Sequence, residues 1–315
     1  MNSRSISSCA AFIALATLVG AAFLPGFALA GADWTPFGPW YGQVNALAIG
    51  ASGPNRGGGG IITSYAGTEG GVFGAEDGGA WELRSGGLPA GRIVCLFASV
   101  DVPGLVLAGT DGAGLFRSTN AGVDWSAASG LSGTISDLTA NASGGYFAAT
   151  AAGVFHSTDG GASWTPAGLA GFDIRTITCQ TLNGWLFAAV AGMGMARSTN
   201  DGADWIPATN GLGNTNLYTV IAHPDSADVL YTGGLGFGSD RDLYKTTNSG
   251  ATWIPILSAT FPPFMFVTDL ALDATDPTQV YAALYGDGVF KSTNAGGTWQ
   301  PATSGIGDLE VLALA

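Results

Sequence analysis

The sequence predicts an all-β protein, a single β-propeller of four-stranded antiparallel blades. Three observations carry that prediction. An eight-residue motif occurs six times in register, short apolar segments recur between its copies, and the composition suits strands joined by tight turns. Glycine supplies 51 of the 315 residues, charged side chains only 10%, and mean hydropathy is +0.31. A disordered chain would be poor in apolar residues and rich in charge. Many short strands with Gly-rich turns give this balance instead.

The motif reads S/T-x-D/N-x-G-x-x-W. Its five regular copies place Ser118, Asn120, Gly122 and Trp125; Ser157, Asp159, Gly161 and Trp164; Ser198, Asn200, Gly202 and Trp205; Thr246, Asn248, Gly250 and Trp253; and Ser292, Asn294, Gly296 and Trp299. A degenerate first copy runs from Gly74 to Trp81, with Gly74 and Glu76 in the hydroxyl and amide slots. Successive Trp spacings are 44, 39, 41, 48 and 46 residues, the period of a propeller blade rather than of a shorter solenoid coil.

Each slot has a physical reason. Asn or Asp can bond the backbone N–H groups that follow and shape a turn. The invariant Gly suits positive φ, and the hydroxyl ties the two sides of the turn. The Trp opens the next strand and buries its ring between sheets. An apolar–aromatic pair precedes the octet, as in Leu115-Phe116 and Val154-Phe155, so the octet is a hairpin between two strands. A second strand is a short apolar run ending in small residues, such as Leu105–Thr110 and Val280–Leu284. The first strand carries I/L/V-x-x-I/L/V, from Val44-Asn-Ala-Leu47 to Val267-Thr-Asp-Leu270.

Residues 1–30 read as a cleaved signal peptide. Arg4 supplies the positive start, Ala10 to Leu24 the apolar stretch, and Ala28-Leu29-Ala30 the small-residue cleavage site. The apolar run, about 15 residues, is shorter than the ~20 that span a bilayer. The expected product is secreted, extracellular or periplasmic, with residues 31–315 as the propeller domain and no membrane span after cleavage. Gly31-Ala-Asp-Trp34 repeats the octet end of Gly202-Ala-Asp-Trp205, and Leu309-Glu-Val-Leu312 resembles another first strand. Two readings stand: six blades with frayed ends, or a seventh blade made from both chain ends of a C-terminally truncated sequence. The second is the expectation, on top of six complete blades.

Net charge is −13, and without Arg4 it is 9 basic against 23 acidic side chains. An acidic surface repels phosphate backbones, so nucleic acid is excluded as a partner. Cys95 and Cys179 fall in apolar strands two blades apart; an oxidising compartment leaves one disulfide open, but two buried thiols, beyond the reach of a bridge, are the expectation. Neither these nor the two histidines give metal-ligand spacing, and no motif calls for a cofactor.

The octets, set after aromatic residues, resemble the BNR or Asp-box repeats of the sialidase-like superfamily, from Gly31 to Ala315. The resemblance implies a propeller with its Asp boxes on the rim, away from the channel mouth where ligands bind. Similar repeats occur in sialidases, two-propeller xyloglucan hydrolases, sortilin-type receptors and photosystem II assembly factors, so it does not specify an activity. A sialidase needs three arginines around the substrate carboxylate and a Tyr nucleophile. Arg92 and Arg175, at the starts of first strands, can approach the channel, but no third partner is evident, and Arg92-Ile-Val is as near as the chain comes to the family's R-I-P motif. A catalytic sialidase is therefore not expected.

A hydrolase would need two carboxylates across a cleft. Glu69 and Asp111 occupy one equivalent slot in adjacent blades, and Asp137 and Asp269 another. The alternative is that acidic residues recur because the repeat recurs. The regular pattern breaks at Leu235 to Asp242, at Ser258 to Phe266 and at the Gly-rich stretch Gly53 to Gly60. Loops carry function more often than scaffolds do. Phe261, Phe264 and Phe266 are thus candidate ligand contacts, or else rings tucked between blades. The expected function is a non-enzymatic binding or scaffold module for an extracellular protein or glycan, with a glycoside hydrolase using Glu69 and Asp111 as the alternative.

Overall fold

A computed structural model describes residues 43–54, 60–236, 243–256, 258–262, 264–306 and 309–315. Residues 1–30, read above as a signal peptide, lie outside them, as do Trp34 and most of Gly53 to Gly60 and Leu235 to Asp242. Six four-stranded antiparallel sheets form a six-bladed propeller, each blade built from strands consecutive in sequence. The first strands (Val44–Pro54, Ile93–Ala98, Ile135–Ala140, Ile174–Gln180, Leu217–Ala222 and Val267–Leu272) face a central channel. Second strands such as Val106–Thr110 and Tyr146–Thr150 are buried along their whole length. Fourth strands pair over two residues only, starting one residue after the Trp, as at Ser126 and Thr165.

Blades pack through apolar clusters, each mixing residues of two neighbours. Cys95, Leu107 and Leu115 of the second blade meet Ile135, Leu138 and Trp164 of the third. Close approach demands small residues. A Cβ on Gly109 would lie 2.8 Å from the Cβ of Ile135, and one on Gly233 2.7 Å from that of Val267. Cys95 and Cys179 are separate buried thiols.

The octets are hairpins between third and fourth strands. Ser118 Oγ accepts from Gly122 N (2.9 Å) and donates to Asn120 Oδ1 (2.9 Å), which accepts from Asp124 N (2.9 Å). The Gly is left-handed (Gly122 φ 84°), and so is the residue before it, as at Ala121 (φ 58°) and Asp201 (φ 53°). Trp Nε1 groups reach the preceding blade: Trp125 donates to Arg84 O (2.9 Å) and Trp253 to Ala208 O (2.8 Å). In the degenerate first copy, Arg84 pairs with Glu76 at 2.8 Å.

The chain end takes a seventh inner position. Thr268 Oγ1 donates to Val311 O (2.7 Å), and Leu314 N donates to Asp269 Oδ2 (2.8 Å). The latter bond repeats that of Ile177 N to Asp137 Oδ2 (2.9 Å) between the third and fourth blades. The matching register is therefore Val311 to Leu314, two residues later than Leu309 to Leu312. Apolar residues at both Leu309 and Val311 allow either frame in sequence, and only the bond to Asp269 selects one. The described residues contribute six complete blades and this one further inner segment.

Candidate functional site

Every first strand carries a β-bulge at its second residue. The register slips between Val44 and Ala46, Ile93 and Cys95, Ile135 and Asp137, Ile174 and Thr176, Leu217 and Thr219, and Val267 and Asp269. A bulge leaves one residue unpaired and re-aims its side chain. The six bulged residues are Asn45, Val94, Ser136, Arg175, Tyr218 and Thr268; with Leu312 of the end segment they line the channel cavity of about 180 Å³. The repeat thus aims six bulged side chains of differing chemistry at the channel, with Leu312 beside them.

Among the described residues, both side-chain polar atoms of Asn45 and Nη1 of Arg175 are buried in the channel without a hydrogen-bond partner. The Arg175 guanidinium lies over the Tyr218 ring, 4.4 Å from its centroid. Asp137 and Asp269 also line the cavity, but their oxygens already accept bonds. Asp137 takes Thr176 Oγ1 (2.7 Å), Ile177 N (2.9 Å) and Leu138 N (2.8 Å). Asp269 takes Thr219 Oγ1 (3.2 Å), Leu270 N (2.8 Å) and Leu314 N (2.8 Å). Burial raises both carboxyl pKa values, that of Asp269 to about 7, against the lowering effect of these donors. Each carboxylate works as a staple between neighbouring inner strands.

The channel opens at the end where first strands begin and second-to-third-strand turns meet them. Asp111 N donates to Arg92 O (3.0 Å), and Tyr285 N to Phe266 O (2.9 Å). The octets occupy the opposite end, against the first-to-second-strand turns, with Ala121 N bonded to Gly104 O and Ala295 N to Thr278 O. An aromatic arc crosses the mouth. Tyr218 meets Phe266 edge to face at 4.7 Å, and Phe266 meets Tyr285 at 6.1 Å. Phe264 is 67% exposed and Tyr285 45%.

The structure divides the sequence candidates. Arg175 lines the channel, Phe266 joins the arc, and Phe264, two residues before it in sequence, is exposed. Phe261 is a core residue, 4% exposed, with its ring 5.3 Å from that of Phe290 and 5.5 Å from that of Trp299. Arg92 is exposed at the mouth and does not line the cavity. Glu69 and Asp111 are exposed on turn tips of neighbouring blades, and Asp111 accepts from Thr134 Oγ1 at 3.0 Å. Tyr285, Tyr218 and Asn45 were missed. Tyr285 holds the turn slot of Glu69 and Asp111, so aligning that slot through the sixth blade would have found it. Tyr218 and Asn45 hold the position after the first apolar residue of the first strand, which the repeat pattern leaves undefined.

No protein-family profile matches this sequence, and no curated protein does. Similarity is found among solved structures. A GH74 enzyme of Niastella koreensis superposes with a TM-score of 0.69 at 19% identity, over 87% of this chain and 50% of that one. YCF48 from Cyanidioschyzon merolae gives 0.59 at 19%, over 82% and 86%. YCF48 bound to D1 peptide gives 0.52 at 16%, over 77% and 75%. The chain spans about half the length of the GH74 enzyme. At these identities the shared property is the β-propeller fold.

Proposed function

We infer that the protein is a secreted binding module that presents its channel mouth to an extracellular protein or glycan. The observation that supports this most is the aromatic arc of Tyr218, Phe266 and Tyr285 with the exposed Phe264 beside it. Large rings exposed at the end of a rigid channel are suited to stacking on a sugar or anchoring a peptide. Binding without turnover fits the carboxylates better than hydrolysis does. Asp137 and Asp269 are occupied as strand staples, and Glu69 and Asp111 stand on exposed turn tips rather than across a closed cleft. Among propellers of similar fold, one is bound to a peptide, which makes this use of the scaffold reasonable but rests on fold alone.

The test is capture from a glycan panel and a peptide library by the full chain and by a Phe264→Ala/Tyr285→Ala variant. Both residues are exposed, so melting temperature should hold while capture falls. Unchanged capture would sink the mouth as the binding face. Turnover of any glycan, lost on Glu69→Gln or Asp111→Asn, would favour a hydrolase instead.

A further inference from the structure

We propose that the mouth arc docks a basic peptide segment, whose Arg or Lys side chains lie on Phe264, Phe266 and Tyr285 beside Glu310 and Asp287. The inference rests on the binding reading above and gives its partner a chemistry. The chain carries −13, and four of its described basic side chains hold neighbouring blades together. Arg84 donates to Ala121 O, Arg117 to Gly160 O, Arg197 to Ser249 O and Lys245 to Ala295 O, each at 2.7–2.9 Å. Arg175 lies within the channel on Tyr218. The acidic groups are mostly on the surface, and such a field attracts cations and repels acidic partners.

Ring chemistry narrows the choice. A cation held within about 6 Å of an aromatic face is attracted by its quadrupole. Among the described residues this geometry recurs internally, with Arg175 over Tyr218 (4.4 Å), Arg197 over Trp185 (4.6 Å), Lys245 over Tyr231 (5.3 Å) and Lys291 over Tyr281 (5.0 Å). At the mouth, Phe264 and Tyr285 offer exposed rings instead. Acidic groups adjoin them. Glu310 is exposed and bridged to Tyr285 through the backbone, and Asp287 shares the Tyr285 turn. A neutral glycan could stack on the rings and donate hydroxyls to the carboxylates, but it gains nothing from the net negative field. A basic segment is drawn by the rings, the carboxylates and that field together.

The experiment is fluorescence anisotropy of a short labelled peptide of alternating Gly and Arg, titrated with the full chain. It is run in about 0.15 M salt, where charges more than ~8 Å apart are largely screened. Saturable binding is expected, weakened roughly tenfold by Phe264→Ala, similarly by Glu310→Gln, and retained by Phe264→Trp. Asp101→Asn, an exposed change at the octet end, should leave binding intact. If Phe264→Ala binds as well as the parent, or Asp101→Asn weakens binding as much as Glu310→Gln, the attraction is diffuse and the proposal fails. A xyloglucan oligosaccharide that binds at the arc where the Arg peptide does not would overturn the basic-peptide assignment while leaving the binding module standing. If neither binds, both fall.

Discussion

Asn120, Asn200, Asn248 and Asn294 each turn their side-chain nitrogen toward the seventh residue of the octet, and that residue is chemically matched to receive it. Asn120 Nδ2 donates to Asp124 Oδ2 and Asn200 Nδ2 to Asp204 Oδ2, both at 2.9 Å, while Asn248 and Asn294 donate to Thr252 and Thr298. In the third blade the slot holds Asp159, and its partner is the hydroxyl donor Ser163. That bond, with those from Ser163 N, Ser157 Oγ and Ala162 N, holds the Asp159 carboxyl well below the usual range. The two slots therefore vary together. Asn200→Asp should put a second carboxylate against Asp204 and replace a bond by repulsion, costing about 1 kcal/mol in urea unfolding at neutral pH. Adding Asp204→Ser should recover the loss. Asp159→Asn, in contrast, should be nearly neutral, since Ser163 can accept as well as donate. A neutral Asn200→Asp would show that the pairing carries no stability.

At the scale of the blade, the recurring device is a clasp. The basic residue before an octet reaches the carbonyl of the left-handed residue in the next octet, as Arg117 does to Gly160 O and Arg197 to Ser249 O. The third blade departs from it. His156 stacks on Phe147 with ring centroids 4.4 Å apart, its Nε2 is buried without a partner, and Asn141 ties this blade to Asp201 instead. His156→Arg should let a guanidinium reach Asp201 O and raise stability by about 1 kcal/mol, read as a higher melting temperature. A lower one would mean that the neighbouring Gly145 and Asn141 leave no room. Gly109→Ala tests the interface in the opposite sense: its Cβ would meet Cys95 Sγ and Ile135, at a cost of roughly 1–3 kcal/mol. The octet was legible in the sequence because the bonds that shape its turn are local, from Ser118 to Asp124. The clasp was not, because Arg117 and Gly160 are 43 residues apart and a basic residue before a turn reads as a rim position. The bulges were invisible for another reason. They leave the apolar residues of each first strand in place and change only where the residue between them points.

Across the whole molecule, the same bulges turn a uniform repeat into a channel with a sidedness that no single blade has. Polar residues enter it at Asn45, Ser136, Arg175, Tyr218 and Thr268, and the aromatic arc gathers at the fifth and sixth blades. The staples Asp137 and Asp269 join inner strands across blade boundaries, and Asp269 also holds the end segment through Leu314 N. This arrangement makes global stability depend on pH with a definite sign. A carboxyl whose folded pKa is raised above its unfolded value of about 3.9 binds its proton more tightly in the native state. Its contribution is therefore fully present at low pH and is lost as pH rises through the folded pKa. For Asp269, pushed up to about 7 by burial, the loss falls between pH ~4 and ~7, and Asp137 acts in the same direction. Asp159 has the opposite shift, so its contribution is present above about pH 4 and is lost only as pH falls below that. Urea unfolding from pH 4 to pH 8 should show stability falling as pH rises, and Asp269→Asn, which stands in for the protonated carboxyl, should flatten that slope. An unchanged slope in Asp269→Asn would mean that the staple is ionised throughout the range and that the end segment is held by a charged carboxylate rather than a neutral one.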